Sequence, residues 1–211
     1  MADRIVYLHG FASGPTSRKA RFFADRLGEC DQFQETPDLT EGNFEGVTIS
    51  SQLNVLERLL GNSAATLIGS SLGGYLAALY ASLHPEITRL ILLAPAFGFP
   101  NYWQHALSSE DLNRWRSTGF LSVYHYGEGR MRQLGYGIVE DGLRWPEAPA
   151  FSQPAHIFHG LADTVVPASL SQAYVARHPQ VNLTLLKSDH ELTGALDDIW
   201  AGCRAELLPP K

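Results

Sequence analysis

The sequence predicts an α/β fold, a mostly parallel sheet with helices on both faces, and three observations carry that reading. Short apolar runs such as Ile5-Val6-Tyr7-Leu8 and Ile87 to Leu93 alternate with segments whose apolar residues recur at helical spacing. The run from Ala64 to Ile68 passes into a helical pattern at Leu72 with almost no connector. The alternation lapses between residues 97 and 150, then resumes. Buried parallel strands read as continuous apolar runs, and the helices that join them cross over right-handed.

Composition narrows the class. A chain of 211 residues, 45% apolar and 18% charged, suits one domain with a sizeable core. A net charge of −6 with no basic block argues against a nucleic-acid partner. No apolar stretch reaches the length of a membrane span. Met1-Ala2-Asp3-Arg4 runs straight into the first strand and is too short for a signal h-region, so no signal peptide is expected. Cys30 and Cys203 lie far apart and read as reduced thiols, so the expected location is the cytoplasm.

Each element follows from its residues. Ile5 to His9 is a strand, followed by the small-residue loop Gly10 to Pro15. Thr16 or Ser17 caps a helix with the stripe Ala20, Phe23, Ala24 and Leu27. Phe33 to Thr36 is a weak strand ended by Pro37, and Ile49 to Leu60 is a helix carrying Leu53, Leu56, Leu59 and Leu60. After the strand at 64–68, Leu72, Tyr75, Leu76, Leu79 and Leu83 mark one face of the next helix.

Within 97–150, Leu107 to Arg116 reads as a helix. Phe120 to Tyr126 and Leu134 to Val139 read as a hairpin, with Gly127-Glu128-Gly129 near its turn. This segment is too poor in aliphatic residues for its own core and is expected to be a cap-like insertion over the sheet's carboxyl edge. Ala155 to His159 and Val181 to Lys187 are the last strands. They alternate with helices over Ala168 to Arg177 and Glu191 to Leu207, the latter buried along Leu192, Leu196, Ile199, Cys203 and Leu207.

The strand–turn–helix junction holds the chemistry. Gly69-Ser70-Ser71-Leu72-Gly73 has the spacing of a nucleophile elbow with Ser71 at its tip, in a strained positive-φ conformation. Glycines flank the serine because side chains there would strike neighbouring backbone, and the helix N-terminus favours a developing negative charge. A serine hydroxyl needs a base, and the base an orienting acid. His190 lies between the last strand and the last helix, where a loop leans over Ser71. Asp163, in the tight loop of His159-Gly160-Leu161-Ala162-Asp163, supplies the acid; capping the Val166 helix start is its structural alternative.

His9 and His159 at strand ends are expected to hold loop backbone, whereas His84, His105, His125 and His178 are expected in solvent. His156 and His159 cannot share a metal ion, because an offset of three on a strand places them on opposite faces. Two backbone N–H groups, of Phe11 and Leu72, are the candidate oxyanion donors. Trp103, Trp115, Tyr124 and Tyr126 are candidate walls of an apolar substrate pocket, with packing of the insertion as the alternative. Arg18 and Lys19 either meet an anionic substrate, such as a coenzyme A thioester, or form a solvated helix start.

These residues resemble a known family. HGF at 9–11, GSSLGG at 69–74, HGLADTVVP at 159–167 and SDHEL at 188–192 resemble the α/β-hydrolases. YLHGFASGPTSRKA at 7–20 with GSSLGGY is similar to the small bacterial YqiA-like esterases. The resemblance spans nearly the whole chain except 97–150. It implies an α/β-hydrolase fold, Ser71, Asp163 and His190 as the triad, Phe11 and Leu72 as oxyanion donors, carboxylesterase or thioesterase activity on a small-molecule ester or thioester, and no cofactor.

Overall fold

A computed structural model describes residues 4–208. Six strands form one parallel sheet: β1 (Arg4–Leu8), β2 (Gln34–Glu35), β3 (Ala65–Ser70), β4 (Ile87–Leu93), β7 (Ala155–Gly160) and β8 (Val181–Leu186). Their order is β2-β1-β3-β4-β7-β8. Strands β5 (Phe120–His125) and β6 (Arg130–Gly135) pair antiparallel in a separate hairpin. The helices are α1 (Arg18–Gly28), α2 (Ile49–Leu60), α3 (Leu72–Leu83), α4 (Phe99–Ala106), α5 (Ser109–Thr118), α6 (Gly137–Gly142), α7 (Ala168–Val175) and α8 (Leu196–Leu207).

The pleat sorts the core into two layers. Val6, Leu8, Leu67, Leu90, Leu92 and Ile157 face one way, where Leu53 and Leu56 of α2, the buried length of α3 and Tyr174 of α7 cover them. Ile5, Tyr7, Ile68, Ile91, Leu93 and Phe158 face the other way, under Phe23 and Leu27 of α1 and Leu196, Ile199 and Cys203 of α8. Because the side-chain period of a strand is two, each apolar run feeds both layers.

The topology decides where a site can form. From β1 the chain crosses by α1 to β2 on one edge, then returns by α2 to β3 on the other side of β1. The loops after β1 and β3 therefore diverge and leave a crevice at the carboxyl ends of these neighbouring strands, the switch point at which open α/β sheets bind ligands.

Several expected elements shift. The helix stripe on α1 loses Ala24, which is exposed, while Ser17 accepts a hydrogen bond from the Ala20 N–H as its cap. Nearly all of α3 is buried because it is enclosed on several sides, but Leu83 emerges to solvent at its end. The second hairpin strand is Arg130–Gly135, not Leu134 to Val139. Ile138 and Val139 belong to α6, where they are buried in the same core as the sheet. Helix α4 went unforeseen, since Pro100 at its first turn reads locally as a breaker although that position tolerates proline. The closing helix begins at Leu196; before it Leu192 takes a left-handed conformation and residues 193–195 form a 3-10 turn. His125 is buried against the ring of Phe44, not solvated.

Among the described residues no helix is long and apolar enough to cross a membrane.

Candidate active site

The turn from β3 into α3 places Ser71 at φ 54° and ψ −116°, a conformation that costs a non-glycine residue roughly 1–3 kcal/mol. The glycines around it allow the turn to close. A Cβ at Gly73 would stand 2.1 Å from the Leu8 carbonyl oxygen, and one at Gly69 would stand 2.4 Å from that of Gly73. Backbone bonds lock the turn, from Ser71 N–H to Leu93 O at 2.8 Å and from Ala96 N–H to Ser71 O at 3.0 Å. Ser71 stands at the cap position of α3 without capping it, so its hydroxyl is available elsewhere.

It is spent on His190. His190 Nε2 lies 3.0 Å from Ser71 Oγ, and His190 Nδ1 lies 2.7 Å from Asp163 Oδ2. A carboxylate only accepts, so Nδ1 carries the proton and Nε2 accepts from the serine hydroxyl. The three side chains predicted from sequence thus meet at the carboxyl edge, across sequence separations of 119 and 27 residues.

Asp163 is wholly buried, and its other oxygen, Oδ1, accepts from the N–H groups of Val165 at 2.9 Å and Val166 at 2.8 Å. The capping alternative and the acid role are therefore both served, one by each oxygen. His159, also fully buried, adds a contact of 3.2 Å from its Nε2 to Asp163 Oδ2. That nitrogen donates to Val166 O at 2.9 Å, while Nδ1 accepts from the Ser171 hydroxyl at 2.8 Å. The ring holds the loop and sets a partial positive charge against the carboxylate.

The loop after β1 is pinned from below by His9, whose Nδ1 donates to Gly10 O at 3.0 Å and whose Nε2 accepts from Leu39 N–H at 3.2 Å. Burial pushes this imidazole below its usual titration range. The loop lies beside the nucleophile: a Cβ on Gly10 would stand 3.5 Å from Ser71 Cβ. Among the described residues neither the Phe11 nor the Leu72 N–H donates a hydrogen bond.

Lys19 departs from both of its sequence alternatives. Its side chain is only 12% exposed, and Nζ donates to Glu191 O at 2.8 Å with Glu191 Oε2 at 3.9 Å. Burial lowers its pKa, against the opposing pull of Glu191, Asp189 and Asp163. The amine ties the start of α1 to the backbone one residue beyond His190. Gly160 was another unforeseen contributor: a Cβ there would stand 2.4 Å from the carbonyl oxygens of Ser188 and Asp189. Only a glycine at the end of β7 lets the His190 loop pass so close, and His159-Gly160 was the available signal.

The four aromatic residues proposed as pocket walls are scattered. Trp115 is fully enclosed, donates from its indole to Leu134 O at 2.9 Å, and has no surface to offer a substrate. Trp103 is buried with its ring 5.6 Å from that of Phe11, and its indole N–H has no partner among the described residues. Tyr124 and Tyr126 pack on each other on the exposed hairpin. None of the four lines the cavity of about 570 Å³ that opens beside Asp163, between α4 and α7. These rings follow the insertion's own packing, the alternative the sequence also offered for them. Among the described residues no group of three His, Cys, Asp or Glu side chains could hold a metal ion.

The comparisons with known proteins agree with this architecture. One family matches from residue 4 to 203, nearly the whole chain. The chain belongs to the uncharacterised protein family UPF0227. No curated protein matches it. Among solved structures, this UPF0227 chain is similar to an Agrobacterium vitis S4 protein named as a candidate hydrolase, with 23% identity and a TM-score of 0.82 over 98% of this chain and 88% of that one. It is similar to mouse alpha/beta hydrolase domain-containing protein 10, with 21% identity and a TM-score of 0.78 over 96% and 88%. Est1E of Butyrivibrio proteoclasticus, with ferulic acid bound, shows 19% identity and a TM-score of 0.79 over 98% and 90%. The UPF0227 protein therefore has the α/β-hydrolase fold, as the sequence resemblance implied.

Proposed function

We propose that this UPF0227 protein is a serine hydrolase that cleaves carboxylic esters through an acyl-enzyme, with Ser71 as nucleophile, His190 as base and Asp163 as orienting acid. One observation carries the reading: a single imidazole spans the Ser71 hydroxyl and a buried carboxylate, at 3.0 and 2.7 Å. Ser71 Oγ attacks the ester carbonyl carbon as its proton passes to His190 Nε2. The Leu72 and Phe11 N–H groups receive the oxyanion, and Asp163 stabilises the imidazolium. The tetrahedral carbon then expels the alkoxide, which takes the proton from His190 and leaves as the alcohol. Water, deprotonated by the same nitrogen, attacks the acyl-enzyme, and the acid departs as Ser71 recovers its proton.

Fold neighbours add support by analogy, among them Est1E with its ferulic acid and a monoacylglycerol lipase of Paleococcus ferrophilus. A thioesterase acting through the same triad is the alternative, separated from an esterase by turnover of matched oxygen and sulfur esters; of the two cations that could meet a coenzyme A thioester, Lys19 is committed to Glu191. The 97–150 segment serves as a cap-like insertion within the same domain, consistent with its share of the sheet's core.

A fluorophosphonate probe tests the reading. Wild-type protein labels on Ser71 and hydrolyses a simple ester, and Ser71→Ala abolishes both. Failure of the wild type to label overturns the assignment.

A further inference from the structure

Resting on that reading, we propose that the cavity between α4 and α7 is the acyl site, and that the substrates are esters with an uncharged medium-chain or aryl acyl group. Three hydrogen bonds from backbone N–H groups attach the cavity to the reacting groups. Ala96, on one wall, donates to the carbonyl of Ser71; Val165 and Val166, on the opposite wall, donate to Asp163 Oδ1. Its volume of about 570 Å³ falls within the range of small-molecule sites.

The direction of the substrate follows from His190. The imidazole must reach the leaving oxygen, so the alcohol portion lies on its side of Ser71. That side belongs to the layer of α1 and α8, in which Leu192, two residues beyond His190, is buried. Phe97 and Phe99 on the cavity wall belong to the opposite layer, with α3 and α7. The acyl portion therefore runs away from His190 and into the cavity.

The chemistry of the walls sets the class. Phe97, Phe99 and Val166 form a buried apolar floor, and Tyr102, Val165 and Leu170 leave apolar surface exposed at the rim. Burying such a rim rewards a substrate that extends across it. No lysine or arginine lines the cavity. Glu147 stands at its edge, with the amide of Asn101 donating to it. Beside it only His105 among the lining residues could carry a positive charge, so the carboxylate repels an anionic acyl chain.

The experiment uses 4-nitrophenyl acetate, butyrate and hexanoate, with 4-nitrophenyl pentanoate set against the mono(4-nitrophenyl) ester of glutaric acid. Wild-type kcat/KM rises about fourfold per methylene, roughly 250-fold over the four methylenes from acetate to hexanoate, and the glutarate is at least about tenfold poorer than the pentanoate. Leu170, half-exposed on the rim, accepts substitution without disturbing the core. Leu170→Trp lowers the hexanoate-to-acetate ratio by about tenfold. Leu170→Lys raises the glutarate-to-pentanoate ratio, a gain that damage to the fold does not produce. A flat chain-length series, or ratios unmoved by both variants, overturns the acyl-site assignment while labelling and acetate turnover stand. A wild type that neither labels nor turns over acetate overturns the serine-hydrolase reading, and this one with it.

Discussion

Two regions crown the carboxyl edge of the sheet, and they are built on different principles. The loops after β1, β3, β7 and β8 are short, tied down by backbone hydrogen bonds, and rich in close approaches that only glycine permits. The 97–150 segment is long and aromatic, and holds itself in place by side-chain packing such as Trp103 against Trp115 and Trp115 against Tyr136. In the first region the backbone fixes a few side chains to within hydrogen-bond tolerance. In the second, many rings share the work, and few have an irreplaceable position. Single changes should therefore act steeply on the short loops and weakly on the hairpin.

After Ser71 itself, the steepest expected effect is at Asp163. Asp163→Asn keeps the volume and an oxygen for the Val165 and Val166 amides, but presents His190 with an amide that no longer selects the Nδ1–H tautomer. By analogy with other triads the loss in kcat is on the order of 10⁴-fold, with little change in substrate affinity. Pre-steady-state acylation measures this directly. A loss of less than tenfold would remove Asp163 from the reaction and leave it as a capping residue.

The same contrast explains what the sequence made legible. Ser71, Asp163 and His190 were readable because each sits in a local motif whose residue types are dictated by geometry: a strand, a glycine, a tight loop, a helix start. Parallel strands were readable as apolar runs, since both their faces are buried. Helix α4 and the hairpin register were not, because Pro100 and the alternating polar residues of β6 make sense only against the surfaces they pack on. His125 shows the same limit, for nothing nearby in sequence announces the Phe44 ring that buries it. Trp115 was misread because a large ring suits a pocket wall and a core equally well in composition. Lys19 reads from sequence as a contact for an anionic substrate or as part of a solvated helix start, since its true partner, the Glu191 carbonyl, is 172 residues away.

Lys19 sharpens the comparison with a smaller effect. Lys19→Met keeps the aliphatic stem but removes the bond to Glu191 O, loosening the backbone beside His190. The expected loss is about tenfold in kcat/KM, since misplacement of a reacting group is costly even at a distance. Lys19→Arg keeps a donor within reach of that carbonyl and recovers most of the rate, whereas a Met variant as active as the wild type would reduce Lys19 to a structural tie.

The smallest effect belongs to the hairpin, and it separates side chain from backbone there. Tyr126 is 76% exposed and touches only the ring of Tyr124 among its aromatic neighbours. Tyr126→Ala should change stability by no more than about 0.5 kcal/mol, as exposed substitutions do, and the rate by less than twofold. Its neighbour Gly127 differs. The Gly127 N–H donates to Ala12 O at 3.3 Å, and a Cβ at this position would stand 3.2 Å from the carbonyl carbon of Ser13. Gly127→Val therefore presses on the loop that presents the Phe11 N–H, and should lower kcat several-fold more than Tyr126→Ala does. If the two variants instead lose activity equally, the hairpin acts on substrate through its exposed rings and not through the tip's grip on the oxyanion loop.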